Sequence, residues 1–508
     1  MAHPIGALMS PVDETFDFIA PGTPFVTAIQ QFAETRPDQI VLTDFDGSIT
    51  RSELESRTNR LARTYAALGV EADDFVTIGL PNGIPFVEAM IATWKLGATP
   101  QPVSFRLPSR ELRAIVDVAH PALVVGLAAE GTVPSLPVGF EPDSSLSDEP
   151  LPLVVSKCWK APTSGGSTGT PKVIASTQPA IVDVLVPLMP LLKMRQGGVK
   201  LTATPLAHNA GVMFTTAPLI TGGSVVIMPK FDPAATLSLI GKYHVDWTCQ
   251  VPTMLHRIAK LPAEMRERAD LSSLDAIACG GAMLPQWLKE FWVDWVGADR
   301  MVEFYSSTET QCIVIADGND WMSHPGSVGE LKIGEIQIRD DDGKALPDGE
   351  IGELWVRRGP GAPATYAYHG STPHPDADGW ETAGDVGWME GRRLYLADRK
   401  ADMVVIGGAN VYPAEVEAAL EEHPYVLSSC VVGIPDEEYG NVLHAVVQTS
   451  APLTDDELVA HLHERLIPYK IPRTFSRSTE PVRDDAGKVR RSLVRDDAIA
   501  TLAKVSVP

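Results

Sequence analysis

The sequence predicts an α/β protein. Its large N-terminal body would consist of stacked, largely parallel sheets covered by helices, and a small α+β domain would follow at the C-terminus. Up to about residue 330, short apolar runs alternate with helical patterns, whereas from there the chain alternates apolar and polar residues and carries D-G turns. The 508 residues are 44% hydrophobic and 21% charged, which is typical of a folded protein and excludes a disordered one.

The first elements of the body follow from capping and periodicity. Thr50 and Glu53 have the spacing of a capping box, and Leu54 and Leu61 begin an apolar repeat at helical intervals, so a helix is expected to start there. The predicted strands and helix that follow are residues 75–80 (strand), 84–96 (helix), 123–127, 199–205, 224–228 and 275–281 (strands). Strands that alternate with helices indicate parallel sheets buried on both faces.

The pattern changes in the last third of the chain. Residues 330–397 are expected to form a β-rich subdomain of antiparallel hairpins with one solvated face. Beyond it, Pro413 opens a helix over residues 414–420, strands cover 426–434 and 442–449, and Thr454 caps a helix that ends near Leu466. We therefore assign residues 1–397 to the N-terminal domain, 398–402 to a hinge and 403–508 to the C-terminal domain.

Charge and cysteine content exclude several classes of function. The formal net charge is −23, which disfavours general nucleic-acid binding. The five cysteines are widely spaced without a C-x-x-C pair, which argues against a disulfide framework and favours a reducing, cytoplasmic location. We expect neither a signal peptide nor a membrane span, because the start of the sequence lacks a basic segment before an apolar core and no run of about 18 apolar residues occurs.

The string TSGGSTGTPK, residues 163–172, is the strongest candidate for an anion site. Its three glycines and five hydroxyl side chains can present several N–H and O–H donors to one phosphate, and a lysine ends the string. A flexible surface loop is the alternative, but apolar segments flank the string on both sides. It is neither a Walker A loop nor a G-x-G-x-x-G loop. The candidate ligand-binding residues are Thr163, Ser164, Gly165, Gly166, Ser167, Thr168, Gly169 and Lys172.

This string resembles the phosphate loop of the acyl-adenylate-forming enzymes, which comprise acyl-CoA synthetases, adenylation domains and luciferases. Six further segments resemble motifs of that family in the expected order: 205–212 (PLAHNAGV), 280–285 (GGAMLP), 305–310 (YSSTET), 382–387 (TAGDVG), 398–417 (DRKADMVVIGGANVYPAEVE) and 484–491 (DDAGKVRR). The resemblance extends from about residue 50 to about residue 495. Within the family, the sequence most resembles an AMP-forming acyl-CoA synthetase.

The resemblance implies ATP and Mg²⁺ as requirements and assigns roles to four catalytic residues. Lys488 would bridge the substrate carboxylate and the α-phosphate, Thr308 would hydrogen-bond the α-phosphate, and His208 would border the acyl pocket. Glu309 would bind Mg²⁺, with Thr168 as a second metal ligand. For the rest of the nucleotide, Gly280, Gly281, Ala282 and Tyr305 would contact adenine, while Asp385 and Arg399 would reach the ribose or the phosphates.

In the family, the small domain swings between two poses, so the resemblance also implies a mobile C-terminal domain. Asp402 is the expected pivot, with Asp398 as the alternative. Gly407 and Gly408 would line the pantetheine channel of coenzyme A. Lys470 and Arg473 would meet its 3′-phosphate-ADP end, unless they belong to an ordinary solvated basic loop.

The expected acyl pocket is mostly apolar and consists of Ala210, Gly211, Met213, Phe214, Trp247, Cys249, Cys312 and Ile313. Because residues 208–214 contain no acidic side chain to pair with an ammonium group, amino-acid substrates are disfavoured. An aromatic, alicyclic or steroid-like acid is preferred, with medium-chain fatty acids next. Three residues depart from the family pattern: Ser306 replaces a frequent glycine, Ala401 a frequent lysine, and Gly166 a commoner threonine.

The resulting functional hypothesis is an ATP-dependent carboxylic acid:CoA ligase that forms an acyl-adenylate and releases AMP and pyrophosphate. An amide synthetase that passes the acyl group to an amine is the alternative, and loading of a carrier protein is also open. A non-catalytic nucleotide-binding protein is the alternative of another class. The sequence leaves the particular acid and the oligomeric state, a homodimer included, undecided.

Overall fold

A computed structural model describes residues 19–129, 131–165, 171–436, 438–484 and 486–505. The α-helices in this part of the chain are α1 (Phe25–Thr35), α2 (Arg51–Ala67), α3 (Ile84–Lys95), α4 (Ser109–Ala119), α5 (Asn209–Ile220), α6 (Pro233–Tyr243), α7 (Pro252–Ala259), α8 (Ala263–Glu267), α9 (Gln286–Val296), α10 (Gly318–Ser323), α11 (Pro413–Glu422), α12 (Asp455–His463) and α13 (Arg491–Val505).

The strands of the N-terminal two thirds are β1 (Ile40–Thr43), β2 (Ser48–Thr50), β3 (Phe75–Ile78), β4 (Thr99–Pro102), β5 (Leu123–Val125), β6 (Ser135–Leu136), β7 (Thr163–Gly165), β8 (Pro171–Ser176), β9 (Val199–Thr202), β10 (Ser224–Ile227), β11 (Trp247–Gln250), β12 (Ala276–Cys279), β13 (Met301–Tyr305), β14 (Ile313–Asp317) and β15 (Ser327–Ile333). Those that follow are β16 (Glu335–Arg339), β17 (Gly352–Arg357), β18 (Tyr366–His369), β19 (Glu381–Glu390), β20 (Arg393–Arg399), β21 (Val404–Ile406), β22 (Ala409–Val411), β23 (Val426–Asp436), β24 (Gly440–Thr449) and β25 (Thr474–Ser478).

The largest sheet joins two differently built halves. Strands β1, β10, β9, β11, β12 and β13 run parallel to one another, as the alternation of strands and helices predicted. From β14 onward the pairing is antiparallel through β15, β20, β19, β17 and β16. The sequence predicted a change of pattern near residue 330, but the hydrogen bonding is continuous across it. Tight connections between consecutive strands make antiparallel pairing possible where crossover helices are absent.

A second parallel sheet, in the order β4, β3, β5, β6, lies in the N-terminal part of the body. The predicted capping box of α2 is present: the Thr50 hydroxyl accepts from Glu53 N, and the Glu53 carboxylate accepts from Thr50 N. Between the sheets, the ring of Phe25 meets Trp94 and Trp159 edge-on at centroid distances of 5.3 and 5.9 Å. These contacts belong to the main hydrophobic core.

Strands β7, β8 and β18 form a small antiparallel sheet that flanks the predicted phosphate loop. Ser164 pairs with Lys172 across β7 and β8, and Tyr368 of β18 lies opposite Ile174 of β8. The sheet therefore brings a segment about two hundred residues away, in β18, next to Lys172.

The small C-terminal domain is α+β, as predicted. Strands β23 and β24 form a long antiparallel hairpin, and β25 pairs parallel to β24. Pro413 lies in the first turn of α11, and Thr454 caps α12 in a capping box with Glu457. Helix α12 ends at His463, one turn before the predicted end. Helix α11 packs on β23 around Val416 and Leu420, both of which are buried.

The C-terminal domain rests against the body along α7 and α4. Nζ of Lys260, which directly follows α7, donates to His423 O at 3.1 Å, and Arg490 lies 3.3 Å from Glu111 of α4. Gly487 of the C-terminal domain also lies against the first turn of α7, because a Cβ added to it would stand 3.2 Å from Thr253 Oγ1. No helix in the described part of the chain combines the length and hydropathy that crossing a bilayer requires.

We expect the stability of the protein to fall in acid partly through His256 of α7. Burial, assisted by the charge of Lys260, lowers the pKa of His256 from 6.5 to about 3. Between pH 6.5 and pH 3, His256 is therefore protonated in the unfolded chain but neutral in the folded chain. The free energy of unfolding consequently decreases as the pH drops toward 3. The slope contributed by one such group is about 1.4 kcal/mol per pH unit.

His256→Gln removes this group, so its unfolding midpoint should fall less steeply than that of the wild type between pH 7 and pH 5. Urea or thermal unfolding followed by circular dichroism measures the difference. Parallel pH curves for the two proteins would contradict the assignment.

Candidate active site

Three side chains from separate strands and loops meet beside the predicted phosphate loop. The Tyr368 hydroxyl of β18 donates to Glu309 Oε1 at 2.6 Å, and Lys172 Nζ of β8 lies 3.4 Å from the same oxygen. Lys172 Nζ is also 3.0 Å from the Tyr368 hydroxyl and 4.1 Å from the centre of its ring. The structure thus brings Lys172 and Glu309 together, and it adds Tyr368, which sequence reasoning missed.

The Glu309 carboxylate is half-buried and yet ionised at neutral pH. Burial alone would raise its pKa, but the Tyr368 hydroxyl and the Lys172 ammonium group outweigh burial, and the pKa is lowered. A single ionised carboxylate fits Mg²⁺, which binds in such sites through one or two carboxylates together with substrate phosphates and waters. Within the described residues, no group of three or more His, Cys, Asp or Glu side chains is arranged to hold a metal ion.

The phosphate loop itself is described only at its edges. Thr163 pairs with Val173 between β7 and β8, so the loop connects two hydrogen-bonded strands, as its apolar flanks predicted. Gly166, Ser167, Thr168 and Gly169 lie outside the described residues, and their predicted roles stay predictions. The same holds for Thr168 as a metal ligand.

A second polar cluster joins the last residues of β13 and β20 to the middle of β19. The Tyr305 hydroxyl donates to Asp385 Oδ2 at 2.6 Å, and Arg399 Nε lies 3.2 Å from Asp385 Oδ1. Burial raises the pKa of Asp385 and raises that of Tyr305 well above its ordinary value. The hydrogen bond from the Tyr305 hydroxyl fixes the orientation of the Asp385 carboxylate. A role for Asp385 at ribose and for Tyr305 at adenine stays a prediction.

The predicted adenine segment follows β12 as a tight turn. A Cβ on Gly280 would lie 2.7 Å from the Phe304 ring, so only glycine fits there. Gly281 adopts φ +86°, a conformation that favours glycine, and Ala282 is exposed beside it. The backbone of this turn is therefore set by close packing on Phe304. Contact with adenine remains a prediction for all three residues.

The charge of Lys488 in the C-terminal domain acts on His208 of the body. His208 is the residue preceding α5, and burial, with the positive charge of Lys488 as the next cause, lowers its pKa to about 4. The imidazole is therefore neutral at neutral pH. Burial likewise lowers the pKa of Lys488, an effect that Asp484 opposes and Arg399 reinforces. The predicted bridging lysine thus lies in the neighbourhood of the predicted pocket-edge histidine.

Lys488 is held in a tight turn together with Asp484, Ala486 and Gly487. Asp484 Oδ1 accepts from Ala486 N at 2.9 Å and from Lys488 N at 2.8 Å, and Asp484 N donates to Lys488 O at 2.9 Å. Gly487 has φ +74° at the tip of the turn, where Thr253 lies close to it. Gly487, directly before the lysine, therefore contacts the body. Thr308, predicted to bind the α-phosphate, follows β13 in the segment that leads to Glu309.

The predicted acyl pocket combines packed and half-buried residues. The Phe214 ring meets Trp247 and Phe304 edge-on at centroid distances of 5.0 and 5.7 Å, and the Trp247 indole donates to Leu192 O at 2.8 Å. The other members divide into half-buried Ala210 and Met213 and buried Gly211, Cys249, Cys312 and Ile313.

Gly211 has a packing role, because a Cβ would stand 2.3 Å from Pro205 O. Burial raises the pKa of the Cys249 and Cys312 thiols to about 12, so both stay protonated. The assignment of these residues to a substrate pocket stays a prediction.

The residues predicted to receive coenzyme A lie on the C-terminal domain. Gly407 and Gly408 have φ +55° and φ +86°, and a Cβ on Gly408 would find no atom within 4 Å. The charge of Lys470 is already paired, since Nζ lies 2.5 Å from Glu415. Arg473 lies 3.5 Å from Asp436 and 4.4 Å above the Tyr439 ring, and its side chain is half exposed. Of the two cations, Arg473 is therefore the more exposed, although it too has an acidic partner.

The two candidate pivots have different partners. Asp402 Oδ2 accepts from Arg491 Nε at 3.0 Å, whereas Asp398 lies in β20 and accepts from Ala414 N at 2.9 Å at the start of α11. Asp398 is thus tied to the regular structure on both sides of the connection. The pivot role of Asp402 stays a prediction.

Lys160 is a second residue that sequence reasoning missed. It is 4% exposed, Nζ donates to Asn209 Oδ1 in the first turn of α5, and burial lowers its pKa to about 7. A lysine between Trp159 and Ala161 was a visible signal, because a cation inside an apolar segment has to find a partner. Tyr368 offered no such signal in the sequence.

Comparison with known proteins shows what this chain resembles. The family profile "AMP-binding enzyme" matches residues 29–367, and "AMP-binding enzyme C-terminal domain" matches residues 415–483. A feruloyl-CoA synthase from Amycolatopsis sp is 32% identical over 467 residues, which cover 88% of this chain and 94% of that protein.

Two solved structures share the fold. The amide bond synthetase McbA from Marinactinospora thermotolerans has a TM-score of 0.77 at 26% identity and covers 93% of this chain and 99% of its own. O-succinylbenzoate coenzyme A synthetase (MenE) from Bacillus subtilis, solved with ATP and a magnesium ion, has a TM-score of 0.76 at 27% identity. That match covers 92% of this chain and 98% of the other.

We expect Tyr368→Phe to slow acid-dependent ATP–pyrophosphate exchange by about tenfold or more, because one hydrogen bond to a charged group is worth about 1.5–3 kcal/mol. Without the hydroxyl, the pKa of Glu309 should rise, since that donor is one of its two largest stabilising partners. The exchange rate is measured as a function of Mg²⁺ concentration.

Tyr366→Phe is the matched control. Tyr366 lies two residues from Tyr368 on the same strand, and its hydroxyl donates to Glu381 rather than to Glu309. Its exchange rate should stay within about twofold of the wild type, which corresponds to roughly 0.4 kcal/mol. Equal losses in the two variants would contradict a specific role for Tyr368.

Proposed function

This chain belongs to the AMP-binding enzyme family of AMP-forming acyl-CoA ligases, and we propose that it is an ATP-dependent carboxylic acid:CoA ligase for an apolar aromatic, alicyclic or steroid-like acid. The reaction would proceed through an acyl-adenylate to an acyl-CoA thioester, with release of pyrophosphate and AMP. The observation that carries the proposal is the Glu309–Lys172–Tyr368 cluster beside the predicted phosphate loop, in a body against which Gly487, directly before Lys488, packs at Thr253.

The chemical difficulty is the encounter of two anions. A carboxylate and the α-phosphate about 4 Å apart repel by about 4 kcal/mol at an effective dielectric constant near 20. Lys488 would offset this repulsion with one cation placed between them, and preorganised charge of this kind is worth about 10²–10³-fold in rate. Because His208 is neutral, the acyl end of the site carries no further charge from the imidazole.

The other residues would bind and orient the nucleotide. Asp385, oriented by the Tyr305 hydroxyl, has the acceptor oxygens that two ribose hydroxyls require, with Arg399 beside it. Lys172 would pair with the phosphates. Glu309 would hold Mg²⁺, which neutralises charge on the pyrophosphate leaving group when it is bound. The MenE structure with ATP and a magnesium ion supports this requirement for the family.

Coenzyme A is our preferred acceptor. The feruloyl-CoA synthase is more similar in sequence than the amide bond synthetase McbA, at 32% against 26% identity. Gly407 and Gly408 leave open space, and Arg473 with Tyr439 offers an exposed cation beside an aromatic ring. Transfer to an amine is the second candidate, favoured by the fold shared with McbA.

The preference for an apolar, ring-containing acid rests on the surroundings of α5. Phe214, Trp247 and Phe304 form an aromatic cluster, and Met213 lies at its margin. Aromatic rings favour edge-on contacts with further rings, so a cyclic acid would pack well there. We also propose a cytoplasmic location, because all five cysteines are unpaired.

The assignment is tested with a panel of acids in ATP–pyrophosphate exchange: ferulate, cyclohexanecarboxylate, cholate, octanoate and leucine. We expect exchange with at least one cyclic acid and none with leucine. Mass spectrometry of reactions that contain both coenzyme A and a primary amine should then show the thioester. An amide product would support the second candidate, and absence of exchange with a broad panel would contradict adenylation.

Two variants should separate the half-reactions. Lys488→Ala should lose about 10²-fold or more in acyl-adenylate formation, while it still converts a preformed acyl-adenylate to the thioester. Gly408→Leu should show the opposite selectivity, since a side chain would enter the proposed pantetheine channel. Rapid-quench assays of each half-reaction make the comparison. Equal losses in both half-reactions for Lys488→Ala would contradict its role as the bridging lysine.

A further inference from the structure

Two arginines that flank the turn of Lys488 bind one buried carboxylate. We call this turn, which holds Asp484, Ala486, Gly487 and Lys488, the lysine turn. Arg483 precedes it, and Arg491 follows it as the first residue of α13. Both donate to Glu417 of α11, which is 4% exposed. The turn that carries Lys488 is therefore attached at both ends to the same group.

The Glu417 carboxylate has four donors. Arg491 Nη1 and Val431 N, the latter at 2.7 Å, donate to Oε1, while Arg483 Nη2 and Arg491 Nη2, the latter at 2.9 Å, donate to Oε2. Burial alone would raise the pKa of Glu417, but the two guanidinium groups outweigh burial and lower it. The carboxylate is thus charged, and both of its oxygens are engaged.

Contacts within the turn transmit this anchoring to Lys488. Arg483 Nη1 donates to Gly487 O at 3.2 Å, directly before the lysine. The Asp484 carboxylate accepts from Lys488 N at 2.8 Å. Because the ends and the tip of the turn are bonded in this way, the position of Lys488 follows the positions of the two arginines.

Arg491 also reaches the connection between the domains. Its Nε donates to Asp402 Oδ2 at 3.0 Å while its two Nη atoms bind Glu417. One planar guanidinium group, which has donors on fixed vectors, thereby joins α11, the lysine turn and the segment predicted to be the hinge.

We propose that Glu417 is a positioning residue for Lys488: it holds the lysine turn through Arg483 and Arg491 in the pose used for adenylation. The inference rests on the proposed function. Removal of the charge would leave two half-buried guanidinium groups without their common anchor, so the two ends of the turn would move independently. A displacement of about 1 Å at a reacting group costs about 10²-fold in rate.

The test is Glu417→Gln, which keeps the shape of the side chain and the acceptor for Val431 N but removes the charge. With an acid that the wild type activates, single-turnover acyl-adenylate formation should slow by about tenfold or more, within the range set by a misplacement of this kind. KM for ATP should change little, because the nucleotide site lies on the body. Thioester formation from a preformed acyl-adenylate should stay within about twofold, because that step does not use Lys488.

Glu421→Gln is the matched control. Glu421 lies one turn further along α11, is also buried, and accepts from Ser429 N at 3.0 Å and from its hydroxyl at 2.9 Å. Neither arginine lies within 4 Å of its carboxylate in the described structure, and the charge of Arg483 acts on it only at longer range. Both half-reactions of this variant should stay within about twofold of the wild type, which corresponds to roughly 0.4 kcal/mol.

A double-mutant cycle separates positioning from general loss of structure. In the Lys488→Ala background, Glu417→Gln should cause no further loss in acyl-adenylate formation, because a residue that acts through the lysine has nothing left to position. Additive losses would overturn the inference, and so would equal losses in both half-reactions of Glu417→Gln. If the wild type itself showed no acid-dependent exchange, the proposed function would fail first. Wild-type exchange with an unaffected Glu417→Gln would overturn this inference alone.

Discussion

The proposed active site depends on one electrostatic constraint: its charges lie on two domains and would have to converge at one place. Glu309, Lys172 and Asp385 lie on the body, whereas Lys488 lies on a turn of the C-terminal domain. A charge that has to arrive from another domain needs a rigid support of its own, because every shift of its base moves the charge. The buried Glu417 carboxylate between Arg483 and Arg491 supplies such a support.

The same constraint accounts for several perturbed pKa values. The pKa of His208 is lowered by burial and by Lys488, and that of Lys488 by burial and by Arg399, so these groups share one partly desolvated region. Glu309 behaves in the opposite way, since its hydrogen bond and ion pair outweigh burial. Perturbed pKa values cluster at functional sites. Under the proposed function, these charges would bring a carboxylate to a phosphate.

Elements with local signals were predicted well. The capping boxes at Thr50 and Thr454 and the proline at the start of α11 are all present, because capping depends on residues three or four positions apart. The strands predicted in the body were placed to within a few residues for the same reason. By contrast, the continuity of the large sheet from β13 into β14 depends on pairing between distant strands, and no local pattern reports it.

The sequence by itself determined the class of fold, the family and the residue types available for chemistry, because those follow from periodicity and from contiguous motifs. Only the tertiary structure decided which of them meet. Tyr368 reaches Glu309 through the pairing of β18 with β8, and Lys470 is already neutralised by Glu415, fifty-five residues away. Contacts of this kind are set by strand register and helix packing, which are properties of the whole chain. A motif specifies which groups are present, and the fold specifies their distances.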